Sequence, residues 1–420
     1  MMQKIFKIGI FSILIFSLIA CGGSDTKLEP NMETMGNETE NSNSEDDRRI
    51  SNDVVIDETP INETENNNPK DDISSDVVID ETPINEISLK HNFLSYNLDE
   101  LTLKVTLSND GRRLYLIQGF YGFMIINIED VNNVFIEGKY QQNDGSRIDN
   151  LIPSKNGKFL YLAMTNGIHI LDSSNLDNIV EVGKFANEFI EKIILNKEET
   201  ILYVSGQDDL KAGEFTPSTG LLTLDVSNPR KITKLNFYEN SFTKDLSLSS
   251  DEKYMYLAGE SVFSAGLTIL DMSNPRKPKL VSKIANNINN TVYKILLSKD
   301  GKRAYLAQDE ETSVAGVEIA DYFLTTINIE NPLKPKVLSR SKRYFSASKN
   351  IAMKFSLDEK KIYLGAGDRG LGVMEVGATN VLTKGILETN SLIFDFALSK
   401  DNKLAYIVTI DKNFIIMTLE

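Results

Sequence analysis

A short unit built around one tyrosine recurs seven times between about residue 100 and the C-terminus, and this repetition limits the fold more than any other feature. The tyrosines are Tyr115, Tyr161, Tyr203, Tyr256, Tyr305, Tyr363 and Tyr406, spaced 42 to 58 residues apart. Before each stands an apolar-ended run and a turn, as in Leu107-Ser108-Asn109-Asp110-Gly111-Arg112 and Leu297-Ser298-Lys299-Asp300-Gly301-Lys302. Asp-Gly suits a tight hairpin, because Gly accepts positive φ and the Asp side chain closes the turn. After each tyrosine come a loop and another β-rich run, among them Leu221 to Val226 and Leu267 to Met272. Several of these runs end in Asn-Pro, which stops strand pairing cleanly (Asn228-Pro229, Asn274-Pro275, Asn331-Pro332). No helical period persists beyond two turns. A unit of this length holds four short strands and buries its faces only by stacking on further copies. The expected fold is therefore all-β: a seven-bladed β-propeller of four-stranded antiparallel blades.

The stretches Leu221-Leu222-Thr223-Leu224-Asp225-Val226-Ser227-Asn228-Pro229 and Leu267-Thr268-Ile269-Leu270-Asp271-Met272-Ser273-Asn274-Pro275 resemble the LVIVD repeat, and the other copies match it more loosely. That resemblance implies a propeller of bacterial or archaeal surfaces and assigns no activity. The last copy stops after its third strand, and Ile87 to Phe93 resembles an outer strand such as Lys279 to Ile284. An N-terminal strand is thus expected to complete the seventh blade over a domain spanning 87–420, leaving a closed, monomeric ring with short edges.

The N-terminus carries an address. Lys4 and Lys7 precede an apolar run from Ile8 to Ile19, and Leu18-Ile19-Ala20-Cys21 places the chain's one cysteine after a small residue. This resembles the lipobox of bacterial lipoprotein signal peptides, which implies a signal peptide over 1–20 and a lipidated Cys21. Gly22, in place of an Asp, favours the outer membrane or cell surface over the inner membrane.

Residues 22–86 hold 19 acidic and 4 basic side chains with almost no aromatics, so the segment from Cys21 to residue 86 reads as a disordered acidic tether. As a coil it would span about 45 Å, and fully stretched about 215 Å. The formal charge of −15 belongs to this tether, because 87–420 carries 39 basic and 41 acidic side chains. A near-neutral domain behind an acidic spacer excludes nucleic acid as an expected partner. Within the tether a 13-residue segment, Ser51 to Glu63, returns as Ser74 to Glu86. It either lengthens the spacer or supplies short strands, Val54-Val55-Ile56 and Val77-Val78-Ile79, for a sheet edge.

Two places could hold a site. Loops between second and third strands share a face with the blade connections, and that face carries the insertions, at 205–219, 259–265, 308–322 and 365–370. They supply a candidate binding rim of Phe120, Tyr121, Asp208, Asp209, Phe215, Phe263, Asp309, Glu310, Glu311, Asp368 and Arg369. The other place is the channel. Eleven residues before each tyrosine stand Lys104, Asn150, Lys192, Asp245, Lys294, Ala352 and Asp395, each followed by an apolar residue. Period-two alternation aims this set at the channel, where it would bind an anion or pair Lys with Asp around water.

Catalysis and cofactors have little support. His91 and His169 are the only histidines and stand in no Ser-His-Asp arrangement, and with one cysteine a zinc site lacks ligands. No cofactor is expected, and carboxylate-only Ca2+ binding in the acidic loops is the one cation chemistry left open. The expected function is therefore recognition of a protein or glycan through the loop-rich face. The competing class is a carboxylate and divalent-cation hydrolase or lactonase at the channel mouth.

Overall fold

A computed structural model describes residues 78–79, 92–187, 190–207, 219–240, 243–259, 266–285, 291–314, 317–341, 351–365, 370–389 and 391–419. It contains seven sheets built on four antiparallel strands, and in six of them these four follow sequence order from the axis outward. The innermost strands begin at Lys104, Ile148, Lys192, Thr243, Val292, Ala352 and Ile393 in blades 1 to 7, and each touches the next around a closed ring.

The repeat tyrosine explains why the copies stack. It lies mid-way along each second strand, a run buried on both faces. In Leu114-Tyr115-Leu116-Ile117, Tyr115 and Ile117 pack against blade 2, whereas Leu114 and Leu116 pack against blade 7. The same arrangement gives seven apolar layers, each lying between neighbouring blades and each holding one repeat tyrosine. The core is therefore divided among the blade interfaces, and no blade has a core of its own.

Blade 7 is closed by the N-terminal strand Phe93–Asn97, antiparallel to Asn413–Thr418. The expected strand at Ile87 to Phe93 is corrected to this position, with Phe93 the shared residue. The reason is burial: Tyr96 is almost fully covered, stacks on Phe414 with centroids 5.8 Å apart, and is followed by buried Leu98. Blade 5 carries a fifth strand, because Val78–Ile79 of the tether lies parallel to its outer strand Lys336–Arg340. This pair belongs to the second copy of the duplicated segment; the first copy lies outside the described residues, as do residues 1–77 and Cys21 with them.

The recurrent polar residues hold turns. In blade 1, Ser108 Oγ donates to Asp110 Oδ1 (2.6 Å) and accepts from the Arg113 amide (2.9 Å). The repeat Asp does similar work after the third strand, where Asp225 Oδ1 accepts from the Ser227 amide (3.0 Å) and Asp271 Oδ1 from the Ser273 amide (2.8 Å). Hydrogen bonding to Ser273 holds the Asp271 carboxyl below the usual carboxylate range. These Asp residues cap turns and face no cavity.

Neighbouring blades are also latched at their edges. Ser282 Oγ donates to the Pro332 carbonyl (2.6 Å) and Ser339 Oγ to the Thr379 carbonyl (2.7 Å), each joining an outer strand to the next blade's turn. At the equivalent place in blade 2 stands Gly183, where a Cβ would lie 1.9 Å from the Pro229 carbonyl oxygen.

Candidate functional site: the channel and the loop face

The structure brings Lys104, Asn150, Lys192, Asp245, Lys294, Ala352 and Asp395 to the wall of one cavity of about 740 Å³ along the axis. Their placement is built the same way in every blade. In blades 1, 3 and 6 the ring residue opens the innermost strand. In blades 2, 4, 5 and 7 it follows a β-bulge at which the strand register skips Asp149, Lys244, Tyr293 or Phe394. Bulges re-aim the next side chain. Its apolar follower, from Val105 in blade 1 to Phe396 in blade 7, is buried between blades. Because each innermost strand starts at the face of the blade connections, the ring lies toward the mouth on the loop-bearing side.

Within the ring no Lys and Asp side chains stand within ion-pair distance of one another among the described residues. Asp395 Oδ2 accepts from the Val105 amide (3.2 Å), and Asp245 Oδ2 accepts from the Ile295 amide (3.0 Å). Each aspartate thus ties its blade to the next. Asp245 is 4% exposed, and its Oδ1 has no hydrogen-bond partner. Among the described residues, Lys104, Lys192 and Lys294 have neither an ion-pair nor a hydrogen-bond partner. Burial lowers the Lys192 ammonium to about 8; Asp245 opposes the shift, and Lys294, Lys354 and Lys104 add to it. Burial also lowers Lys104, with Lys294 reinforcing the shift and Asp395, Asp149 and Asp245 opposing it.

Sequence reasoning missed Lys354. It lies two residues after Ala352 on the same strand face, and it restores a cation to the one blade whose ring position is apolar. The period-two rule that found the ring would have found it if carried one step further. Also missed was the exposed Lys244–Glu191 pair at the mouth (3.1 Å).

On the loop face, Phe120 and Tyr121 lie on the single 3-10 turn Gly119–Tyr121, and each is 57% exposed. The Arg147 guanidinium stands 6.0 Å from the Phe120 ring centroid. Ile410, 49% exposed, occupies the corresponding hairpin of adjacent blade 7. The expected loop at 308–322 is instead a hairpin that continues two long strands, Arg303–Val314 and Val317–Asn328, out to the pair Val314 and Val317. Asp309 is therefore no rim residue. It is fully buried and accepts from the Thr291 amide (2.8 Å) and the Tyr293 hydroxyl (2.7 Å). Glu310 and Glu311 belong to the same ribbon. Asp208, Asp209, Phe215, Phe263, Asp368 and Arg369 lie outside the described residues.

Ring carboxylates come from two blades, and among the described residues no group of three His, Cys, Asp or Glu is placed to hold a metal ion. His169 is buried with both ring nitrogens engaged, Nδ1 with Glu181 at 2.6 Å and Nε2 with Asn166 at 2.8 Å. Among the described residues no helix is long and apolar enough to cross a membrane.

Comparison with known proteins agrees with this architecture. Residues 155–187 and 243–285 match the LVIVD repeat, which places the matches in blades 2 and 4. The Leu221 to Pro229 stretch, expected as a strong copy, lies outside both. No curated protein matches the chain. Among solved structures, hydrazine synthase of Kuenenia stuttgartiensis superposes with a TM-score of 0.58 at 13% identity, covering 77% of this chain and 97% of that one. The β-propeller domain of Cps50 (Swd1) from Myceliophteria thermophila gives 0.55 at 12% identity, with 80% and 100% covered. Likeness at these identities concerns the fold alone. The chain carries two matches to the LVIVD repeat and folds as a seven-bladed β-propeller.

Proposed function

We propose that this propeller is a non-catalytic recognition module of the bacterial cell envelope, anchored through a lipid on Cys21 and binding a protein or glycan with its loop-bearing face. The observation that carries this reading is the exposed aromatic pair Phe120 and Tyr121, set on a 3-10 turn of blade 1, with exposed Ile410 on the corresponding hairpin of adjacent blade 7. Aromatic side chains present large contact area at low entropic cost, and they are enriched where proteins bind proteins. The blade 5 ribbon adds an extended edge on the same face. The acidic tether suits the role, because it lifts the ring away from an anionic membrane.

The test compares capture of envelope proteins and glycans by the full chain with capture by a chain carrying Phe120→Ser and Tyr121→Ser and lacking residues 310–321 of the ribbon. Loss of capture with an unchanged melting temperature is expected. Equal capture would refute the loop-face reading. The anchor is tested separately: Cys21→Ser protein should leave the membrane fraction, and its retention there would contradict lipidation.

A further inference from the structure

We propose that the channel lysines Lys104, Lys192, Lys294 and Lys354 form a binding site for a small multivalent oxyanion, of phosphate or polycarboxylate type, entering from the loop-bearing mouth. The four belong to blades 1, 3, 5 and 6, and all face one cavity of about 740 Å³, roomy enough for such an ion with water around it. Two aspartates share this wall, so these charged groups carry a net excess of two positive charges. Neither aspartate stands within ion-pair distance of a lysine, and each directs Oδ2 at a backbone amide of the following blade.

A structural charge network would leave each ammonium beside a carboxylate. Here the carboxylates act only at a distance: Asp245 favours the charge of Lys192 and Asp395 that of Lys104, while Lys294 opposes the charge of both. Like charges held together in one cavity repel one another until an ion of opposite sign arrives. Lysine supplies point charges suited to phosphate-type groups, and Asn150, buried on the same wall, can donate an amide proton.

Isothermal titration calorimetry of the full-length chain tests this, using inorganic phosphate and citrate, with chloride at matched ionic strength as the reference. Saturable heat with phosphate, citrate or both is expected at pH 7, and which anion binds identifies the class. Lys192→Gln should weaken binding roughly tenfold or more. Lys184→Gln, on an exposed outer strand, should not. Since the bound anion favours the charged form of an ammonium titrating near 8, binding at pH 8 should take up about half a proton. That uptake is read from buffers of different ionisation enthalpy. In the absence of added anion, Lys192→Gln should melt at the same temperature as the wild type or higher, because it removes an ammonium whose charge Lys294, Lys354 and Lys104 oppose. No heat beyond chloride, equal affinity in Lys192→Gln, or a lower melting temperature of its anion-free form would each overturn the proposal.

Discussion

At the residue scale, the hairpin between first and second strands shows how one position serves two ends. Seven equivalent residues adopt positive φ there: Gly111, Gly157, Glu199, Glu252, Gly301, Glu359 and Asn402. Glycine takes this conformation freely, whereas an L side chain costs about 1 kcal/mol or more. The three glutamates offset part of that strain by reaching to the preceding blade. Glu199, Glu252 and Glu359 accept from the amides of Lys155, Lys197 and Lys299, and Lys299 Nζ also donates to the Leu357 carbonyl (2.7 Å). Urea unfolding should therefore find Glu252→Ala about 1 kcal/mol less stable than Glu252→Gly, because only the alanine keeps the strain without the latch. Equal stabilities would contradict this reading.

The repeat tyrosines make a second case. Desolvation raises the phenols of Tyr115, Tyr161, Tyr203, Tyr256 and Tyr406 from about 10 to about 12. A group with a raised folded pKa stabilises fully below its unfolded value, and that contribution is lost as pH climbs through the folded value. The urea midpoint should hardly move between pH 7 and 9 on their account and should fall steeply between 10 and 12. The larger part of the tyrosinate absorbance should rise together with unfolding, and full ionisation of the phenols in a protein still folded at about pH 10 would contradict the buried packing.

At the element scale, what was legible follows from which residues repeat. The channel ring was readable because alternation of period two, indexed on one tyrosine, leaves each side chain a single face. The blade 5 ribbon was not. Asp309-Glu310-Glu311-Thr312 has the composition of a solvated loop, and its first residue is held in the sheet by a hydroxyl and an amide from the innermost strand. Such a contact spans 16 residues, beyond the reach of a local pattern. The closing strand was legible in kind but misplaced, since Ile87 to Phe93 and Phe93 to Asn97 both read as short β runs. Only packing of Tyr96 on Phe414 chooses between them.

The tether strand Val78–Ile79 gives the duplication a physical meaning, because an outer edge offers unpaired backbone groups. Amide exchange along Lys336–Arg340 should quicken when residues 74–86 are deleted, unless the identical motif at 54–56 replaces the lost strand. Deletion of both copies should remove the protection fully, and unchanged exchange after the double deletion would rule this pairing out.

At the scale of the whole molecule, a ring whose core lies between blades stands or falls on closure. Each apolar layer needs both neighbours, and the layer joining blades 7 and 1 also needs the strand Phe93–Asn97. Tyr96→Ala should lower stability by about 3 kcal/mol and melt the ring as one cooperative unit. A small loss confined to blade 7 would show that closure matters little.

The repeated residues are scaffold: the tyrosines pack, the Ser-Asp and Asp-Ser pairs hold turns, and the prolines end strands. The proposed recognition role falls to what does not repeat, on the face that carries Phe120, Tyr121 and the ribbon. Photo-crosslinking in intact cells tests this division most directly, with the reactive group placed at Tyr121 in one protein and at Leu357 in another. Leu357 is 58% exposed on a hairpin of the opposite face and so serves as a matched control. Adducts from position 121 and none from 357 are the expected result. Equal labelling from the two faces, or labelling from 357 alone, would contradict the account.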